Sequence, residues 1–232
     1  MVVGADLEVV DLSQPLSPDM AGWRGTHRAQ VTREELTDIA HSVPGGRISA
    51  THLAMATHAG THVDAARHFF PHGPSIDEYE TSRFVCRGVA LDVRRDEPRE
   101  LTLEELQQAD PGIRAGDAVL LWFGWADRYT AEDYDRHPWV SVQAAEHLAA
   151  AGVNLVGADV ATPDKPPYLR ETPFPYPVHA TLLERDVLIV ENLGPGLARV
   201  AGREFLFVMP VLRMPGADAS PVAPLALLPA AA

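Results

Sequence analysis

An α/β fold with one mixed β-sheet and flanking helices follows from three features of this sequence. Segments with helical spacing alternate with short apolar strands through the second half of the chain. The strands read as continuous apolar runs, the pattern of strands buried on both faces. With 232 residues and 46% apolar content, the chain can bury one substantial core, so residues 1–232 are expected to form a single domain.

Residues 5–12 (ADLEVVDL) form a short opening strand, and 13–25 (SQPLSPDMAGWRG) a loop rich in Pro, Ser and Gly. In 47–58 (RISATHLAMATH), Ile48, Ala50, His52, Ala54, Ala56 and His58 share one parity, the period of a strand. RGVALDV (87–93) is a buried strand. Thr102 with Glu105 makes a capping box that opens a short helix in LTLEELQQA. GDAVLLWFGW (116–125) is a further strand, SVQAAEHLAAA (141–151) a helix stopped by Gly152, and NLVGADV (154–160) a strand. A proline-rich loop spans 162–177. VHATLLERD (178–186) is a helix, followed by strands at 187–193 and 204–212. The Ala- and Pro-rich end, 217–232, reads either as a last strand or as a frayed tail.

Composition excludes several functions. A net charge of -13 and a pI near 5.1 oppose nucleic-acid binding, because a phosphate backbone selects basic patches. No apolar run approaches the ~20 residues that cross a membrane. Cys86 is the single cysteine, which rules out an internal disulfide and a thiolate cluster, and its apolar context suggests a buried, inert thiol. With no basic-then-apolar segment at the start, a cytoplasmic location is the expectation.

The chemistry concentrates between residues 52 and 72, which hold five of the ten histidines. His58, His62 and Asp64 stand at relative positions 0, 4 and 6, with His68 at 10. In an extended strand, positions 58 and 62 would lie roughly 13 Å apart, whereas two nitrogens on one zinc-sized ion are at most about 4 Å apart. The chain must therefore bend at 59–61, where Gly60 permits it. A helix would carry Asp64 about 240° around from His58. Imidazole and carboxylate are ligands of zinc, manganese and ferrous iron, and two His with one Asp leave open positions for water. Water on zinc ionises near pH ~7 and can attack a polarised carbonyl, with His68 free for proton transfer. Glu191 follows the apolar run 187–190, where an unpaired carboxylate would be costly and a cation would answer that cost. His27, His41, His72, His137 and His147 show no partner pattern.

His58-Ala-Gly-Thr-His62-Val-Asp64-Ala-Ala-Arg-His68 resembles the signature of the cyclase-like metal-dependent hydrolases, the family of bacterial kynurenine formamidase and isatin hydrolase. Nearly the whole chain shares the likeness: 11–20, GDAVLLWFGW, GADVATPD, and HATLLERDVLIVENL, which resembles the family's distal block. The resemblance implies the family's swivelling β/β/α fold. It implies that His58, His62 and Asp64 hold one cation, and that Asp64, His179 and Glu191 face a second. It further implies His68 as proton donor and acceptor, Trp23 as a substrate contact, and a homodimer or higher oligomer. The activity implied is hydrolysis of a C–N bond in a small aromatic amide, either an aryl formamide such as N-formylkynurenine or a cyclic amide such as isatin. One or two ions of zinc or manganese per subunit would serve it.

Two departures from the family pattern stand out. Ala66 occupies a position that is often proline, and Ala223 one that is often arginine. Two alternatives stay open. His62-Val-Asp64 with His179 also matches the facial triad of non-haem iron oxygenases, although those sites normally lie in all-β barrels. A metal-binding protein that kept the fold and lost the reaction is the other.

Overall fold

The computed structural model describes residues 7–17, 19–20, 29–36 and 48–230. In chain order the elements are β1 (Leu7–Asp11), β2 (Gln30–Leu36), β3 (Ile48–Ala54), β4 (His62–Asp64), β5 (Val85–Asp92), β6 (Glu100–Leu101), α1 (Leu103–Ala109), β7 (Ala118–Trp122) and β8 (Trp139–Val140). They continue with α2 (Val142–Ala150), β9 (Leu155–Ala158), α3 (Pro177–Glu184), β10 (Leu188–Glu191), α4 (Leu197–Val200), β11 (Glu204–Val208), β12 (Ala219–Pro221) and β13 (Leu225–Pro229). Nine strands form one mixed sheet in the order β1-β13-β11-β5-β7-β9-β10-β4-β12. Its centre, β5-β7-β9-β10, is parallel and both flanks are antiparallel. The mixed α/β class read from the sequence is the class observed.

The apolar runs of the central strands are explained by cover on both faces. On one face Val89, Leu91, Val119, Leu121 and Val156 pack with Leu106, Leu148 and Leu182 from α1, α2 and α3. On the other, Ala90, Leu120, Leu155 and Val190 pack with Val10, Leu197 and Val200. The capping box of α1 forms as read: Thr102 accepts from the Glu105 N–H, and Glu105 accepts from the Thr102 N–H. Gly152, at φ +71°, closes α2 after its Ser141 cap.

The first third of the chain departs from the reading. The alternating strand expected through His58 ends at Ala54, and its parity does not separate a buried face from a wet one. Among the described residues β3 pairs only with β2, an element the sequence did not suggest. Val31 of β2 packs against the core, but β3 itself is exposed at every position except Ala50, so alternation along it has little to report. His52 is exposed and pairs with Glu34 across the strands at 3.0 Å. Residues 225–229 form a strand against β1. Cys86 is half-buried instead of fully enclosed; burial pushes its thiol pKa up. Among the described residues, no helix is long and apolar enough to cross a membrane.

Candidate metal centre

Strand pairing alone assembles the middle of the site. β4 is three residues long, fully buried, and lies between β10 and β12. His62 and Asp64 are two residues apart on it and therefore share a face. In the antiparallel pairing with β10, Glu191 stands opposite His62. Directly opposed side chains are neighbours, and His62 Nε2 lies 3.3 Å from Glu191 Oε2 and 3.4 Å from Asp64 Oδ1.

The bend required between His58 and His62 occurs at Gly60, whose φ is +70°. It folds the His58 ring to 5.1 Å from the His62 ring and brings His58 Nδ1 to 2.9 Å from Asp64 Oδ1. The Gly60 carbonyl also meets His62 Nδ1 at 2.9 Å and accepts from Asn192 Nδ2 at 3.0 Å. With its Nδ1 so engaged, His62 turns Nε2 toward the carboxylates, and the neutral ring would offer that nitrogen to a cation. Asn192 follows Glu191 in the left-handed region, φ 57°, and its Oδ1 accepts from the Tyr134 hydroxyl.

His179 enters from α3. Its Nε2 lies 3.2 Å from Glu191 Oε1 and 3.5 Å from Asp64 Oδ2. The opposite nitrogen, Nδ1, lies 2.6 Å from Asp164 Oδ2. That carboxylate also accepts the N–H groups of Val178 and His179 at 3.0 Å each, so Asp164 caps the helix and orients the imidazole together. Phe69 stacks on the His179 ring at 5.1 Å and 19°.

Asp64 thus joins two halves: Oδ1 faces His58 and His62, Oδ2 faces His179. His68 is the most open member, its side chain 29% exposed, and its ring lies 4.1 Å from that of His58. Ligand-type atoms of His62, Asp64 and Glu191 lie within 4.8 Å of one another, as do those of His58, Asp64 and His68. His68, read as a spare proton carrier, therefore also lies within ligating reach.

The donor set fits a divalent cation. His62 Nε2, Asp64 Oδ2 and Glu191 Oε1 are buried without a hydrogen-bond partner, while Asp64 Oδ1 meets His58 Nδ1 at 2.9 Å. Buried polar atoms are normally partnered, and an uncompensated buried carboxylate costs several kcal/mol. These atoms sit 3.2–3.5 Å from their neighbours in the cluster. Ligand atoms ~2.1 Å from one shared ion have that spacing. Without an ion, burial works against charge on every member, yet mutual pairing prevails. Asp64 and Glu191 raise His62 to about 10. His179 is raised well above the ordinary imidazole value by Asp164, Asp64 and Glu191. The same pairings lower Asp64, and Glu191 to about 2. His68 differs: burial, then the neighbouring His58 and His179, lower its pKa despite Asp64 and Glu191, leaving a neutral ring near physiological pH.

Five residues singled out as metal ligands, His58, His62, Asp64, His179 and Glu191, come together here, with His68 beside them. Trp23 lies outside the described residues. Asp164, although it ends the GADVATPD block, has no role in the sequence reading, and Asp218 escapes it. Neither has spacing to the histidine motif that could have marked it. His137, which shows no partner pattern in the sequence, is fully buried; burial lowers its pKa to about 4.

Residues 10–165 match the family model described as putative cyclase. Kynurenine formamidase of Salinibacter ruber is 30% identical over 219 residues, covering 93% of this chain and 95% of that protein. The Geobacillus thermodenitrificans kynurenine formamidase is 25% identical, with 92% and 94% covered. Among solved structures, isatin hydrolase A from Ralstonia solanacearum superposes with a TM-score of 0.80 at 25% identity, covering 96% of this chain and 92% of that one.

Proposed function

This chain belongs to the cyclase family, and we propose that it is a metal-dependent hydrolase of small amides. The observation that carries this reading is the convergence of unpartnered buried donors from His62, Asp64 and Glu191. The names of the relatives, kynurenine formamidase and isatin hydrolase, support an aryl formamide or a cyclic aromatic amide as substrate.

His58, His62, Asp64, His179 and Glu191 would hold one or two ions of zinc or manganese, both of which accept nitrogen and oxygen ligands. A cation bound there polarises a carbonyl oxygen and lowers the pKa of water toward neutrality. Asp164 and the Gly60 carbonyl keep the imidazoles of His179 and His62 turned with Nε2 inward. His68, neutral and partly exposed, takes a proton from attacking water and returns it to the leaving nitrogen. Phe69 beside His179 and, by family resemblance, Trp23 supply apolar surface for an aromatic ring.

A homodimer or higher oligomer is part of this proposal. Supporting it, Val9, Leu206 and Val85 stay 53%, 46% and 46% exposed on the outward face of β1, β11 and β5.

The test is His68→Ala, assayed with N-formyl aromatic amines and isatin-type lactams. Metal content should be retained and turnover should fall by about 100-fold or more. Unchanged hydrolysis at full metal content would sink the assignment.

A further inference from the structure

We propose that Asp218 is a positioning residue for proton transfer, holding the ring of His68 so that its Nε2 faces the substrate nitrogen. The inference rests on the reading of His68 as proton carrier. Asp218 immediately precedes β12, and its carbonyl accepts the Ala65 N–H at 2.9 Å, which ties it beside the histidine motif. Its Oδ1 accepts from the Thr57 hydroxyl at 3.2 Å. Its Oδ2 faces His58 Nε2 at 3.0 Å and His68 Nδ1 at 3.4 Å. One carboxylate thus links a proposed ligand to the proposed proton carrier, on the side of His58 turned away from Asp64.

His68 needs such a tether. Its imidazole is partly exposed, and among the described residues Asp218 is the one hydrogen-bond partner of that side chain. Facing a carboxylate oxygen, Nδ1 keeps the proton of the neutral ring, and Nε2 is left with a lone pair. Water then forms the new C–O bond while one of its protons passes to Nε2. The imidazolium so formed sits against the Asp218 carboxylate. Its Nε2–H proton goes to the amide nitrogen as the C–N bond breaks, and His68 ends neutral, as it began. The 3.4 Å separation is long for a hydrogen bond, as such contacts often are before substrate is bound.

Two substrates separate this role from simple support of the fold. Formanilide loses an amine that must be protonated to leave, whereas 4-nitrophenyl formate loses a stable phenolate. With rates normalised to bound metal, His68→Ala should depress formanilide turnover far more than ester turnover. Asp218→Asn should lower kcat for formanilide by about 10- to 100-fold, with KM moved less than about twofold and the ester nearly unaffected. It should add nothing in the His68→Ala background. Histidine-ring nitrogen NMR of the zinc-loaded protein gives a readout apart from activity. The wild-type His68 ring should carry its proton on Nδ1, and Asp218→Asn should mix the two tautomers. Equal losses on amide and ester, full additivity with His68→Ala, or an unchanged His68 tautomer would overturn the proposal. If His68→Ala itself spares the amide relative to the ester, the hydrolase mechanism falls and the role of Asp218 with it. If only Asp218→Asn fails to discriminate, His68 stands and Asp218 alone is misassigned.

Discussion

His179 Nδ1 lies 2.6 Å from Asp164 Oδ2, and the same carboxylate caps the helix that carries His179 by accepting two of its first N–H groups. The cap fixes where α3 begins, and the side-chain contact fixes which imidazole nitrogen turns toward Asp64 and Glu191. Helix placement and ligand orientation therefore depend on one residue.

Asp164→Asn should damage both. Loss of the charged cap should cost about 1–2 kcal/mol of stability in chelated protein, measured by urea unfolding. Metal affinity should weaken by about 10- to 100-fold in competition with a chromophoric chelator. Weakened stability with unaltered affinity would reduce Asp164 to a helix cap.

The sequence carried the parts of this structure that burial imposes. The central strands announced themselves as apolar runs because both faces are covered, and Thr102 with Glu105 marked a helix start that forms as read. The bend at Gly60 followed from the short distance two ligands of one ion must keep. What stayed hidden depends on partners distant in sequence. β2 and β3 pair with each other and meet the core at Val31, too little cover to impress a burial pattern on their residues. Asp164 and Asp218 sit in Pro- and Gly-containing loops, and nothing but the folded chain brings them to His179, His58 and His68. The pairing of β4 with β10 explains why a histidine and a glutamate 129 positions apart belong to one site.

The charge state of the centre gives a pH signature. In chelated protein, His62 is raised from 6.5 to about 10 by Asp64 and Glu191 against the effect of burial. A raised imidazole stabilises fully below pH 6.5, and that contribution declines as pH climbs toward about 10. Metal ligation instead needs the neutral imidazole and tightens as pH rises. The gap in thermal midpoint between loaded and chelated protein should therefore widen from about pH 7 to about pH 9. A gap that stays constant or narrows would contradict the pairing described.

Gly60→Ala isolates the bend. An L-residue at φ +70° is strained, and its Cβ would lie 2.6 Å from Leu16 Cδ2. The expected cost is about 1–2 kcal/mol, accompanied by weaker metal binding, because the Gly60 carbonyl meets both His62 and Asn192. Gly202→Ala is the control: φ is +72° and nothing lies within 4 Å of the added Cβ. It should show similar strain in thermal denaturation and unaltered metal affinity.

The central claim is that Asp64 joins His58 and His62 to His179 around bound metal. Elemental analysis of wild type and Asp64→Asn, both purified without added metal, tests it most directly. Zinc or manganese at one or two ions per chain is expected in the wild type, with almost complete loss in Asp64→Asn. A metal-free wild type, or a variant that keeps its full complement, would contradict it.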